Sequence, residues 1–441
     1  MRTLVLVDGE HHPPLLRWAL DVARERGYGV VGALIVGGIE KLRPGHDLDL
    51  GVPTRFAGAD RMAALGEAID AFAPDVVLDL SDEPVLGYRE RMELIAISLV
   101  RDVPYVGPDF RFEPPPRTEP IDVPTLAVIG TGKRTGKTAI AGEIARLAAR
   151  RGLEPVIVAM GRGGPEEPRV VEPGSVDLAG LVEVVSRGDH AASDYLEDAV
   201  TTGVATVGAR RAGGGLAGAP FVTNVDTAAV LAAGRGAGLV ILEGSGSSLP
   251  PVPWDAGVLV VSASTPPEYL GGYLGPYRLL RSDLVVVTMG SDPSGSENLF
   301  ALRSHIRRYL GDSRYIVTGF IPVPLADVRG RRAFFATTAP GAVAARQVHH
   351  LESAHGCQVV GWSARLADPA GLAEDLDASQ EYDVLLTELK AAAVDIGVAR
   401  AISRGADVVF VDHRAVAVEG PIDLDSAFGE VIDRSLERGN R

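Results

Sequence analysis

Apolar and polar positions alternate between two periods along this chain. Compact apolar runs give way to stretches in which apolar residues recur every three or four positions, then the runs return. The first pattern predicts buried strands and the second amphipathic helices. Over residues 1–111 it predicts strands at Leu4–Val7, Val30–Val36, Val76–Leu80 and around Val106. Helices are predicted at Pro14–Arg26, Arg61–Phe72 and Arg89–Val100, the first ended by Gly27. Strands separated by helices imply parallel pairing in a doubly wound sheet. The proline-rich stretch Phe112–Pro124 cannot continue a helix or sit in a central strand, so it reads as a stiff linker. Beyond it come strands at Val123–Ile129, Pro155–Ala159, Leu239–Leu242, Gly257–Ser262 and Asp283–Thr288, with a helix over Ala139–Arg151. Residues 188–225 read as loop-rich, with one short helix around Ser193, Asp194 and Tyr195. A third alternating stretch has helices at Gly341–His355, Pro369–Leu376 and Lys390–Arg404, and strands at Val359–Trp362, Val384–Leu389 and Val408–Val411.

Composition narrows the class. A length of 441 residues suggests two or three domains. No apolar run reaches the roughly 18 residues that a membrane span needs. The chain enters a strand directly, so no secretory signal is expected. With Cys357 as the single cysteine, internal disulfides and thiolate metal sites are excluded, and a reducing cytoplasm fits. The net charge of −15 argues against a general nucleic-acid binder, though a local basic pocket can still hold a small anion.

The chemistry centres on Gly130–Thr138, GTGKRTGKT. A buried strand leads in and a helix leads out, the context a phosphate-binding loop requires. A helix start leaves its first amides unpaired, and its dipole favours an anion there. Thr131, Gly132, Lys133, Arg134, Thr135, Gly136, Lys137 and Thr138 are the expected nucleotide-binding residues. Lys137 would reach the outer phosphates, and Thr138 would offer its hydroxyl to Mg²⁺. The bland alternative is a glycine-rich turn with a surface lysine. Thr131 stands where the common pattern asks for glycine; the loop is similar in this to the dethiobiotin synthetase branch of P-loop enzymes. The fold expected is α/β: a P-loop NTPase core with a parallel sheet over 123–325, an N-terminal Rossmann-like domain over 1–117, and a C-terminal α/β domain over 326–441.

Ligands of open α/β sheets lie beyond the carboxyl ends of the strands, so polar residues there are candidates. Asp8, Gly9, Glu10, His11 and His12 follow the first strand; a helix-capping loop explains them equally well, and metal binding by the adjacent histidines is disfavoured. Arg162, in Met160-Gly-Arg-Gly-Gly-Pro165, offers a planar fork to phosphate. Glu166 and Glu167 read as a solvated turn or, less simply, as catalytic groups. Arg210 and Arg211, followed by Gly213, Gly214 and Gly215, can form a nest for a second phosphorylated substrate, with His190 and Asn224 nearby; a mobile surface loop is the alternative. Glu243 ends an apolar strand, where a carboxylate suits Mg²⁺, or simply caps the turn. Thr288-Met-Gly-Ser-Asp292 lacks the residues that read guanine, which favours ATP over GTP. Lys390 and Arg414, after two later strands, would add to an anion pocket or serve structure.

Taken together, VDGEHHPP, VIGTGKRTGKTA, VAMGRGGPEEP, HAASDYLEDA, RRAGGGLAGAPFVTN, LEGSGSSLPPV, TELKAAAVD and FVDHR make the chain resemble the cyclic 2,3-diphosphoglycerate synthetase family over nearly its whole length. The resemblance implies ATP-dependent closure of 2,3-bisphosphoglycerate into a cyclic phosphoanhydride, with release of ADP and phosphate. It implies ATP and Mg²⁺ as cofactors, with no nucleic-acid or membrane partner. Lys137, Lys133, Arg162 and Glu243 would act in catalysis; Thr138 and Glu243 would hold the metal. His190, Arg210, Arg211, Gly213, Gly214, Gly215 and Asn224 would bind substrate. P-loop enzymes of this branch usually pair, so a homodimer is expected. A nucleotide-gated switch acting on a protein partner and a 2-phosphoglycerate kinase are the alternatives the loop alone leaves open.

Overall fold

The computed structural model describes residues 1–38, 49–176, 194–291, 296–312, 314–389 and 393–439. Contacts divide the chain into two compact units. One is Met1–Pro116 with Pro266–Ser282 and Ala301–Gly311; the other is Arg117–Thr265, Asp283–Phe300 and Asp312–Arg441.

The first unit is built on β1 (Arg2–Val7), β2 (Gly29–Ile35), β3 (Thr54–Phe56), β4 (Val76–Asp79), β5 (Tyr105–Val106) and β6 (Arg111–Phe112), in the order β3-β2-β1-β4-β5-β6. All neighbours are parallel except the last pair. Five of the six residues of β1 are buried. Such an unbroken run is what a parallel strand covered on both faces requires. Helices Pro13–Glu25, Arg61–Phe72 and Tyr88–Val100 supply the cover. Paired prolines open the first, and Asp60 caps the second by accepting from the Ala63 amide.

The second unit holds one 13-stranded sheet. Its strands are β7 (Thr125–Gly130), β8 (Pro155–Gly161), β9 (Arg169–Val171), β10 (Ala205–Ala212), β11 (Val222–Thr223), β12 (Leu239–Glu243), β13 (Ala256–Ser262), β14 (Leu284–Thr288), β15 (Tyr315–Pro324), β16 (Arg332–Ala336), β17 (Gln358–Ser363), β18 (Val384–Thr387) and β19 (Asp407–Glu419). The order is β11-β10-β8-β12-β7-β13-β14-β15-β19-β18-β16-β17, with β9 beside β10. From β10 to β15 all pairs are parallel. β19 then runs antiparallel to β15 and carries the sheet on into β18, β16 and β17. Leu126, Val128, Ile140, Ile144, Ile241, Val258 and Phe428 share one core, so helix Lys137–Arg150 and the C-terminal helix Leu424–Gly439 seal the same face.

One expectation fails. Residues 205–212, within the stretch read as loop-rich, form β10 and pair in register with β8. Gly208 and two arginines hide this strand from a hydrophobicity pattern. Packing explains the glycine: a Cβ there would lie 2.7 Å from the ring of Tyr195 on helix Asp194–Thr202. The predicted helix over Lys390–Arg404 is described from Ala393 on, as a π-helical turn to Val398 followed by Ala399–Ser403. Among the described residues no helix is long and apolar enough to cross a membrane.

Candidate active site

β7 is buried throughout and delivers the chain into residues 131–136 at its carboxyl end. The loop is shaped from two sides. Arg134 and Gly136 take left-handed backbone, with φ of 56° and 84°. A Cβ on Gly136 would press to 2.7 Å from the Phe320 ring, so only glycine fits. From β14, the buried Thr288 hydroxyl donates to the Thr135 carbonyl at 2.7 Å. The helix then begins at Lys137. The Lys137 ammonium folds back over the loop and donates to the Gly132 carbonyl at 2.8 Å. Burial pulls this ammonium below its usual range, against the opposing pull of Glu243 and Asp194.

β12 lies between β7 and β8 and ends at Glu243, opposite Val128 and Ala159. The Thr138 hydroxyl donates to Glu243 Oε1 at 2.7 Å. Glu243 Oε2 is buried with no hydrogen-bond partner. Burial pushes the Glu243 carboxyl up to about 7; Asp194 adds to the rise, and Thr138 and Lys137 oppose it. Asp198 is fully buried, and its carboxyl meets that of Glu243 within hydrogen-bond reach, with no other partner for its oxygens. Burial, together with the neighbouring Glu243, raises its carboxyl well above the ordinary range. Hard, buried oxygen donors of this kind suit a divalent cation. Asp198 escaped sequence reasoning because a carboxylate on a helix is usually solvated; its one signal is the spacing of four from Asp194.

The cationic residues separate into two groups. Lys133, Arg162 and Arg211 converge on Gly246: a Cβ there would stand 3.8 Å from Lys133 Cγ, 3.3 Å from Arg162 Nη2 and 3.4 Å from Arg211 Nη2. Arg211 is buried, donating from Nη1 to the Gly213 carbonyl at 2.6 Å and from Nη2 to the Ser245 carbonyl at 2.8 Å. Burial and the nearby Arg162 lower its guanidinium. Arg210, by contrast, is exposed and lies 3.4 Å from Glu166, itself on the surface. The Asn224 amide is engaged by backbone: it accepts from the Arg210 amide at 2.7 Å and donates to the Glu166 carbonyl at 2.9 Å. Gly213, Gly214 and Gly215 are exposed, with Gly213 left-handed at φ 73°. His190 and Lys390 lie outside the described residues.

The later candidates brace the loop's helix. Arg414 donates to Glu143 from Nε at 2.5 Å and from Nη2 at 3.0 Å. Arg146 lies 3.2 Å from Asp412. Glu388 accepts from the Thr338 amide at 2.9 Å and hydroxyl at 2.7 Å, and pairs with His413 at 3.1 Å. A small cavity runs between these groups and Thr138.

Comparison with known proteins matches three family profiles in succession. "Cyclic 2,3-diphosphoglycerate synthetase, N-terminal domain" covers residues 2–113, the P-loop domain of the same name 125–318, and the C-terminal domain 324–414. A protein named cyclic 2,3-diphosphoglycerate synthetase from Rubrobacter xylanophilus is 46% identical over 95% of this chain and 95% of its own. One of the same name from Methanothermobacter thermautotrophicus is 39% identical over 98% and 96%. Among solved structures, LpxK from Aquifex aeolicus in complex with ATP aligns with a TM-score of 0.41 at 14% identity, over 73% of this chain and 90% of its own.

Proposed function

The chain belongs to the cyclic 2,3-diphosphoglycerate synthetase family, and we propose on that premise that it closes 2,3-bisphosphoglycerate into the cyclic phosphoanhydride at the expense of ATP. The observation that carries the reading is one meeting place. Lys137, Thr138 and Glu243 lie with Lys133, Arg162 and Arg211 at the carboxyl ends of β7, β12, β8 and β10, four neighbouring strands. Two phosphates and a carboxylate bring about five negative charges toward a nucleotide triphosphate. Such repulsion demands this density of cations.

Catalysis on this reading is mostly alignment and charge neutralisation. An oxygen of one substrate phosphate attacks the γ-phosphorus of ATP; the bond to the β-phosphate breaks and ADP leaves. An oxygen of the second substrate phosphate then attacks the phosphorus that accepted the group. The new P–O–P bridge closes the ring and inorganic phosphate departs. Both attacking oxygens are already ionised near neutral pH, so the protein need supply no strong base. Lys137 neutralises the phosphoryl group in flight. Lys133, Arg162, Arg210 and Arg211, with the amides of Gly213–Gly215, offset the substrate's charge. Thr138 and Glu243 would hold Mg²⁺, which supplies charge stabilisation at the phosphate oxygens; the unpartnered Glu243 Oε2 fits that demand.

Relatives that carry the synthetase name do not favour a protein-directed switch or a simple kinase. The same reading treats 1–117, 123–325 and 326–441 as separate functional segments and the enzyme as a cytoplasmic homodimer, the latter checked by analytical ultracentrifugation. The test of function is phosphorus NMR on protein, ATP and 2,3-bisphosphoglycerate. The expected result is a cyclic diphosphate signal with one ADP and one phosphate per turnover. ATP hydrolysis indifferent to the bisphosphate, or a non-cyclic product, contradicts it.

A further inference from the structure

Sequence reasoning used Glu243-Gly-Ser-Gly246 only for its carboxylate, yet the last glycine is where two guanidinium groups meet beside the Lys133 stem. Gly246 is buried and left-handed, with φ of 62°. Its missing side chain leaves a hollow bounded by Arg162, Arg211 and Lys133. Arg211 cannot swing away, because Gly213 and Ser245 hold two of its nitrogens. Its Nε is buried and unpartnered. The Arg162 guanidinium, reaching in from the surface to the fixed Arg211, is repelled unless an anion lies between them.

We propose that the hollow over Gly246 is the subsite for the substrate phosphate that does not receive the γ-phosphoryl group, a role that rests on the bisphosphate reading above. A phosphate dianion has oxygens enough to take both guanidinium groups at once, and each such contact is a charge-assisted hydrogen bond. The subsite also ranks the arginines. Arg162 and Arg211 bind this phosphate directly, whereas Arg210, out on the surface with Glu166, acts only at the rim. The turn therefore sets specificity: it favours a second phosphate, and a substrate with one phosphate leaves the buried Arg211 uncompensated.

The experiment is calorimetric titration of the ADP-loaded enzyme with 2,3-bisphosphoglycerate, 2-phosphoglycerate and 3-phosphoglycerate. It uses the wild type, Gly246→Ala and Arg162→Gln, with ADP affinity measured on each as the control for folding. Wild type is expected to prefer the bisphosphate. Gly246→Ala pushes a methyl into the hollow and Arg162→Gln removes one wall. Each is expected to lose at least about tenfold of bisphosphate affinity, the scale of one charge-assisted hydrogen bond, while ADP affinity holds within about twofold. Monophosphate affinity changes less, so the preference narrows. Arg162 is exposed, so its variant reads the same loss if Gly246→Ala does not fold. Unchanged preference in Arg162→Gln overturns the subsite while leaving the bisphosphate reading intact. A wild type that does not prefer the bisphosphate overturns both.

Discussion

Two crevices in this molecule lie at the carboxyl ends of parallel strands, and their buried polar groups are treated in opposite ways. In the N-terminal unit every buried acid among the described residues is satisfied by its own chain. Asp8 accepts from the Glu10 and Asp82 amides at 3.0 and 2.9 Å and pairs with His11 at 2.8 Å. Asp79 accepts from Ser81, from Arg91 at 2.9 Å and from the Tyr105 hydroxyl at 2.9 Å. In the second unit, Thr131 Oγ1 and Arg211 Nε are buried without partners, and the buried carboxyls of Glu243 and Asp198 face each other with no cation or amide on Glu243 Oε2 or on either Asp198 oxygen. Each unpaired atom costs about 1–3 kcal/mol. A ligand that completes the cluster would recover that cost. The first crevice holds itself together; the second is prepared for something else.

The sharpest way to break this contrast is to remove one nitrogen side chain from each crevice. Lys137→Ala is expected to lower cyclisation by at least about 10³-fold, since a preorganised charge at the transferred group is gone. Its circular dichroism and thermal midpoint should stay near wild type. His11→Ala should leave turnover within about twofold. Equal losses in steady-state assays would erase the distinction. Next in size is Asp79→Ala. It strands Arg91 and Tyr105 and should cost about 3 kcal/mol of stability by urea denaturation, with the KM for ATP unaltered.

Glu243→Gln should act in the reverse sense. It removes a carboxylate whose burial outweighs the support of Thr138 and Lys137, so the free protein should melt no lower than wild type. Magnesium-dependent ADP affinity should fall by about tenfold to a hundredfold in calorimetry. The smallest effect is a pH dependence. A carboxyl raised to about 7 is protonated in the free protein below that pH. A bound cation needs the ionised form, so binding must expel the proton. Affinity for magnesium nucleotide should therefore rise with pH up to about 7 and level off above it, by at most about tenfold per unit. In the free protein the same shift means that this group's stability contribution is fully present below the ordinary carboxylate range and fades as pH rises toward 7. A flat affinity profile in Glu243→Gln would assign the effect to that residue.

The phosphate loop was legible because its demands are local: a buried strand, glycines at fixed spacing and a helix start within one short stretch. The parallel pairing of the N-terminal strands was legible because strand and helix alternate along the chain, though their order was not. β10 was not, since Gly208 answers to the ring of Tyr195 rather than to any period in its own segment. The continuation of the sheet through β19 was also hidden, because an antiparallel pairing between strands about ninety residues apart leaves no local trace. Gly246 and Asp198 belong to this second class: what marks them is what surrounds them, and their neighbours come from different strands. Arg414 illustrates the converse. A cation after a strand suggested an anion pocket, yet Glu143 on the loop's own helix takes it.

The central claim is that the unpaired groups of the second crevice are completed by two polyanions. A crystal structure of the protein with magnesium, a non-hydrolysable ATP analogue and 2,3-bisphosphoglycerate tests it most directly. The account predicts the triphosphate on Gly132–Thr138 with its outer phosphate at Lys137, the metal on Thr138 and Glu243, and one substrate phosphate over Gly246 between Arg162 and Arg211. An empty phosphate loop, or the bisphosphate seated at Asp8 and Asp79 with the Gly246 turn vacant, would contradict it.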